Sequence, residues 1–237
     1  MKVLFIEPPR EFWFVMGEYL PPPFGIIQLA AYLEREVEDA EIEVLDCTAQ
    51  QLGWNEIGRK IESFNPDIVA ASAFATCNVY LVLRTFEIAK NVNPEILTVT
   101  GGQHFTATSQ ESLEEYPEID VIVRGEGEET LTELVKNSTK KSQFSKIRGL
   151  SFRHNGKIIH NKPRPPIKDL NDLPIQDTTL SKTLSTGIIS LQWLVVMLHM
   201  PWLKVQEDVP TSVHSAHNGD TGVEFGDSRS QNELQMK

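Results

Sequence analysis

The residue types that could bind or react in this chain gather in a few short segments. Thr100-Gly101-Gly102-Gln103-His104 carries two adjacent glycines and an imidazole. Glycines remove Cβ atoms, so a large planar or phosphate-bearing ligand could press against the backbone there; a tight strand-to-helix turn needs the same residues. The spacing alone leaves both open. His104 is a candidate ligand contact or metal ligand, or else an ordinary exposed loop histidine. Ser72-Ala73-Phe74-Ala75-Thr76 offers small residues and two hydroxyls, suited either to lining a flat ligand or to capping a helix. Gly125-Glu126-Gly127-Glu128-Glu129-Thr130 has the glycines of a phosphate loop but no lysine, and its carboxylates would repel a phosphate. Acidic residues also suit a first helical turn, and hydrogen bonding to ribose or amide groups stays open. No Ser-His-Asp order stands out, and neither a His-x-x-x-His nor a Cys-x-x-Cys pair occurs. Cys47 and Cys77, the two cysteines, make neither a disulfide framework nor a cluster motif. Binding is better supported than catalysis.

These segments need elements to position them. Over residues 2–137, short β-rich runs alternate with helix-period segments, the pattern of crossover units and a parallel sheet. Strands are predicted at Lys2–Glu7, Glu41–Asp46, Asp67–Ser72, Ile96–Thr100 and Asp120–Arg124. Ile26, Ala30 and Leu33 share a helical face, as do Val79, Leu83 and Phe86, and then Leu131, Leu134 and Val135. Thr108 followed by Glu111 predicts a capping box opening a further helix. Five strands, each followed by a helix, give an α/β class: a doubly wound, five-stranded parallel sheet of flavodoxin or Rossmann type. Its carboxyl edge is where such sheets bind ligands, and the segments above fall there. Pro8-Pro9 stiffens the loop after the first strand, and Pro21-Pro22-Pro23-Phe24-Gly25 sets an extended entry into the first helix.

Beyond residue 136 the polar stretch Asn137–Lys146 reads as a surface connection, and Gly149–Ile159 as a hairpin turning at Asn155-Gly156. Lys162-Pro163-Arg164-Pro165-Pro166 followed by Asp169-Leu170-Asn171-Asp172-Leu173-Pro174 reads as an extended linker. The expected division is therefore a domain over 1–140, a hairpin and linker over 141–177, and an atypical, irregular tail over 178–237, whose last part has no sustained period.

Composition narrows the classes. The chain has 237 residues, 40% of them hydrophobic, enough for one α/β domain with extra segments. With 22 basic against 33 acidic residues, a formal charge of −11, it is not expected to bind nucleic acid, which requires a basic surface. The first apolar run meets Glu7 and two prolines too soon for a signal peptide, so a cytoplasmic location is expected. The apolar block 187–203, about 17 residues interrupted by Gln192, His199 and Pro201, sits at the lower limit of spanning length, and stable membrane insertion is not expected.

Taken together, Pro22-Pro23-Phe24-Gly25-Ile26 with Leu29-Ala30-Ala31-Tyr32-Leu33, then Gly101-Gly102-Gln103-His104, Arg124-Gly125-Glu126-Gly127-Glu128 and Asp169-Leu170-Asn171-Asp172-Leu173-Pro174, resemble the amino-terminal half of cobalamin-dependent radical S-adenosylmethionine enzymes. The resemblance covers residues 1–177. It implies a Rossmann-like cobalamin-binding domain, with Gly101 and Gly102 admitting the cofactor. Pro9, Pro22, Gly25, Ser72, Ala73, Thr76, His104, Gly125, Glu126 and Gly127 would flank it. In intact relatives the linker leads to a radical domain, where Cys-x-x-x-Cys-x-x-Cys holds a 4Fe–4S cluster that cleaves S-adenosylmethionine, often for methyl transfer. Two departures stand out. Cobalamin domains of the mutase type carry Asp-x-His-x-x-Gly, whose His ligates cobalt, whereas Leu45-Asp46-Cys47-Thr48-Ala49 has no such His. The three-cysteine motif is also missing, so the chain alone is not expected to perform radical catalysis. Degenerate back-translation of Val205–Ala216, read two nucleotides later with an AGY codon for Ser212, permits Ser-Arg-Gly-Cys-Pro-Tyr-Lys-Cys-x-Phe-Cys. The tail is thus compatible with a frameshifted radical domain. The alternatives are a nucleotide- or flavin-binding regulatory module on the same sheet, and an interaction remnant associating through the apolar block 187–203. The absence of a Gly-x-Gly-x-x-Gly turn after the first strand argues against dinucleotides.

Overall fold

The computed structural model describes residues 1–9, 23–73 and 75–174. Pro22, Phe74, the tail 178–237 and the apolar block 187–203 lie outside the described residues. The strands are β1 (Lys2–Glu7), β2 (Glu41–Asp46), β3 (Ile68–Ser72), β4 (Leu97–Gly101), β5 (Val121–Val123), β6 (Leu150–His154) and β7 (Lys157–His160). The helices are α1 (Phe24–Glu36), α2 (Trp54–Phe64), α3 (Val79–Val92), α4 (Gln103–Ala107), α5 (Ser109–Glu115) and α6 (Glu128–Asn137).

The sheet order is β2-β1-β3-β4-β5-β6-β7. The first five strands pair in parallel, and helices cover both faces because the inner strands are apolar on both sides. Val3 and Phe5 of β1 pack with Ile26, Ala30 and Leu33 of α1 and with Leu131, Leu134 and Val135 of α6. Leu4 and Ile6 face the other way, onto Ile57 and Ile61 of α2 and Val82 and Phe86 of α3. The helical faces expected from periodicity are therefore the ones buried, although Leu83 is only partly so.

Three expectations need correction. The sheet has seven strands, not five, because the hairpin joins it: β6 pairs antiparallel with β5, from Val121↔Phe152 to Val123↔Leu150, and β7 pairs with β6. The turn itself is as expected, with Asn155 and Gly156 at φ 50° and 73°. The Thr108–Glu111 capping box does not form. Thr108 alone separates helix α4 from α5, and its hydroxyl donates to the His104 carbonyl at 3.0 Å and lies 2.9 Å from Ser112 Oγ. The polar stretch after α6 is not merely superficial, since it winds into a 3₁₀ turn at Lys141–Lys146 that buries Phe144 against Phe152.

The proline-rich segment has no regular element beyond a 3₁₀ turn at Leu170–Asp172, as its composition requires. It nevertheless lies on the domain as a strap. Gly149 N–H donates to the Lys162 carbonyl at 2.9 Å, and Arg35 donates to the Asp172 carbonyl at 2.6 Å. Among the described residues, no helix is long and apolar enough to cross a membrane.

Candidate functional site

At the carboxyl edge the parallel ladders end unevenly. The β1–β2 ladder runs to Glu7↔Asp46 and the β3–β4 ladder to Ser72↔Gly101, but the β1–β3 ladder stops at Phe5↔Ala70. Ile6 and Glu7 therefore separate from Ala71 and Ser72. This is the place where chain order reverses, β1 leading outward to β2 on one side while β3 begins the other half. Open α/β sheets bind ligands in the crevice at such a switch point. Sequence reasoning found the edge but not this crevice, because the uneven ladder ends depend on pairing between remote segments.

The rim on the β2 side is closed. Cys47 N–H donates to the Glu7 carbonyl at 3.0 Å, and the Thr48 hydroxyl to the Pro8 carbonyl at 3.2 Å. The Cys47 thiol is buried, and burial together with Asp46, Glu7 and Glu56 pushes it up to about 12. A protonated thiol is a poor metal ligand.

On the other side the rim is low and built of small residues. Ser72 is half-buried, and Ala73 N–H donates to the Gly101 carbonyl at 3.4 Å. Thr76 Oγ1 lies 3.1 Å from His104 Nδ1, tying the β3 and β4 loops together. The two glycines have a reason inside the protein. A Cβ on Gly101 would stand 2.9 Å from the Val123 carbonyl oxygen, and one on Gly102, at φ 90°, 2.7 Å from the Ala73 carbonyl oxygen. They let three loops close on one another, and the low rim is the consequence. Gly125, at φ 75°, is exposed with nothing among the described residues within 4 Å of its missing Cβ, and its N–H donates to Thr106 Oγ1 at 3.1 Å. Glu126 accepts the Ile167 N–H at 2.5 Å, so this carboxylate engages the strap. Leu29 of α1 fills the space over Gly127.

The β3, β4 and β5 loops thus bring together Ser72, Ala73, Thr76, Gly101, Gly102, His104 and Gly125–Gly127. Pro9 lies in the loop after β1 and Gly25 in the first turn of α1; Gly25 is exposed, with nothing among the described residues within 4 Å of its missing Cβ, beside Phe24, which is 42% exposed. Arg124, the cation of the β5 loop, turns to the carbonyls of Leu150 and Asn161, and burial lowers its pKa. No group of three or more His, Cys, Asp or Glu that could hold a metal ion occurs among the described residues.

Residues 16–135 match the family model of the B12 binding domain. The chain belongs to the B12-binding domain family. It is a cobalamin-binding domain, and nothing in the comparisons favours a nucleotide or flavin module. It is 37% identical over 177 residues to an uncharacterized methyltransferase of Pyrococcus horikoshii, covering 74% of this chain and 38% of that protein. It is 35% identical over 178 residues to the anaerobic magnesium-protoporphyrin IX monomethyl ester cyclase of Rubrivivax gelatinosus, covering 72% and 31%. The chain thus spans less than two fifths of the length of either relative. Its fold matches the cobalamin-dependent S-adenosylmethionine radical enzyme OxsB, solved with aqua-cobalamin bound, at a TM-score of 0.57 and 20% identity over 70% of this chain and 22% of that one.

The rim fits a B12 cofactor. Gly102 and Gly125, on the β4 and β5 loops, are exposed, and among the described residues nothing stands within 4 Å of the missing Gly125 Cβ, which suits a broad, flat ring. No imidazole follows Asp46, where Cys47 and Thr48 are instead engaged with the β1 loop.

Proposed function

We propose that the chain holds cobalamin at the carboxyl edge of its sheet, over the crevice between β1 and β3, and presents it to a catalytic part resembling a radical S-adenosylmethionine domain. The observation that carries this reading is the low, small-residue rim at the switch point of a B12-binding domain. Gly102, Gly125 and Gly25 leave space for the ring, and Ser72, Ala73, Thr76, Gly101 and Gly127 border it. His104, oriented by Thr76, and Pro9 complete the set. Bound cobalamin supplies a cobalt centre able to carry a methyl group. The protein's part is to bind and orient the ring and to shield one of its faces. Retention then rests on contacts around the ring, since two residues after Asp46, where mutase-type domains place a histidine, this chain has Thr48, whose hydroxyl donates to the Pro8 carbonyl.

The sequence has Cys47 and Cys77 as its two cysteines, so cluster thiolates have to come from elsewhere. The proposed division of labour is a cofactor carrier over 1–140 with the hairpin and linker over 141–177, while residues 178–237 are read as a frameshifted counterpart of the radical domain. Sequencing the coding DNA between the codons for Asp177 and Val205 tests that last point: an uninterrupted frame with no cysteine motif in the shifted phase overturns it. The cofactor reading is tested by mixing the protein with hydroxocobalamin, removing free ligand and recording the visible spectrum. Retained corrin absorption is expected. A colourless protein overturns the reading, and bound flavin in its place would favour a different module.

A further inference from the structure

After β7 the chain turns back along α6 and α1. Arg164, whose side chain is 11% exposed, meets Glu129 and Glu133 of α6 at 2.8 Å each, and its Nε donates to Thr130 Oγ1 at 2.8 Å. Three residues later, Ile167 N–H donates to Glu126 in the β5 loop. The segment then crosses to α1, where Arg35 holds the Asp172 carbonyl and Gln28 Nε2 lies 3.4 Å from the Pro174 carbonyl. The loop Gly125–Gly127 is thereby held from three directions: Thr106 takes the Gly125 N–H, the strap takes Glu126, and Leu29 packs over Gly127. Its two ends are anchored by backbone bonds, Arg124 N–H to the Gly149 carbonyl at 2.8 Å and Leu131 N–H to the Gly127 carbonyl at 2.7 Å, while among the described residues nothing stands within 4 Å of the missing Gly125 Cβ.

We propose that Arg164 is a positioning residue for the cofactor rim: it seats the strap 161–174, whose Ile167 N–H fixes Glu126 and so sets the shape of the Gly125–Gly127 loop. This rests on the cobalamin reading above. Glu126 then acts through the strap rather than as a direct contact. Coupling between two sites is reciprocal, so a strap that shapes the rim is itself held down by a bound cofactor. The segment leading out of the domain thereby senses whether the domain is loaded.

The sequence supplies a reporter. Within 161–174 the basic residues are Lys162, Arg164 and Lys168, and the first two precede proline, which blocks trypsin. The Lys168–Asp169 bond is the cleavable one, and cutting it requires the strap to lift locally. The full chain is digested with and without hydroxocobalamin, and cleavage after Lys168 is followed by mass spectrometry. Hydroxocobalamin is expected to slow this cleavage roughly fivefold or more. Arg164→Gln is expected to speed it and to weaken hydroxocobalamin binding, read from the corrin absorption, by a similar factor, with Arg164→Lys recovering part of both. Ile167→Pro, which removes the donor to Glu126 while leaving Arg164 in place, is expected to weaken binding likewise. A wild-type chain that retains hydroxocobalamin while its Lys168 cleavage is unchanged overturns the coupling and leaves the cobalamin reading standing. Faster cleavage in Arg164→Gln with undiminished affinity does the same. A wild-type chain that retains no hydroxocobalamin removes the cobalamin reading and this proposal with it. The wild-type comparison needs no variant, so it decides even if a substitution prevents folding.

Discussion

Gly102 and Gly125 both hold positive φ angles, but only Gly102 also faces a neighbouring backbone. Alanine at Gly102 meets the Ala73 carbonyl oxygen at 2.7 Å and has to adopt φ near 90°. That oxygen belongs to the backbone and not to a flexible side chain, so Gly102→Ala is expected to cost more than about 2 kcal/mol, read as a lowered urea midpoint. Gly125→Ala meets no atom of the described residues and carries the left-handed penalty, about 1 kcal/mol. It should therefore fold, which makes it the cleaner probe of the rim: a methyl group placed there is expected to weaken hydroxocobalamin uptake in a protein that is otherwise intact. The cysteines separate in the same way. Cys77 is exposed and Cys47 buried, so a thiol reagent at pH 8 should modify Cys77 alone until the protein unfolds. Folding raises the Cys47 thiol from 9.0 to about 12. The unfolded chain gives up this proton first as pH rises, so the stability linked to Cys47 is complete below pH 9 and is lost as pH climbs toward 12. Denaturant midpoints across that interval should fall, and a Cys47→Ser chain should lose the part of the fall that belongs to this group.

Strands β1 and β2 coincide with their predicted bounds, and β3, β4 and β5 lie within a residue of theirs, because buried strands appear as short apolar runs cut off by polar or proline residues. The Asn155-Gly156 turn was legible for a similar reason, since its residues suit a local backbone shape. The pairing of β6 with β5 was not, because it joins segments about 30 residues apart and no local pattern records which edge a hairpin will cover. The strap was hidden likewise. Its prolines signal an irregular path, while the partners of Arg164 lie on α6, far back in the sequence. Within the site, the small residues of the β3, β4 and β5 loops were legible, but the crevice beside β1 and the internal need for Gly101 and Gly102 were not. If β6 is part of the core rather than an appendage, Phe152 has to matter. It is 4% exposed and meets Phe144 edge-on at 5.7 Å between ring centres. Phe152→Ala is expected to cost about 3–5 kcal/mol, seen as a large drop in the urea midpoint of the whole domain in one transition. A separate minor transition would show instead that the hairpin unfolds alone.

At the scale of the molecule, the sheet, the helices on its two faces and the strap share their contacts in a way that fixes where the domain can be cut. A chain ending at residue 148 would lose β6 and uncover the β5 edge, leaving Phe144 without Phe152 and Val121–Val123 paired with β4 alone. An apolar edge of that kind invites association. A chain ending at residue 160 would keep the sheet but lose Arg164 from between Glu129 and Glu133, placing those carboxylates one helical turn apart on α6 without their counter-ion. It would also release Glu126 from Ile167. A chain of residues 1–174 keeps every described contact. It is expected to be monodisperse in gel filtration, to unfold in one transition and to retain hydroxocobalamin as the full chain does. The 1–160 chain is expected to fold with a lower midpoint and weaker retention, and adding salt should narrow the difference in midpoint, since part of it comes from ion pairs at the surface. Equal cofactor retention by the 1–160 and 1–174 chains would mean that the rim takes its shape from the sheet edge and α1 alone, with the strap serving only to lead the chain away.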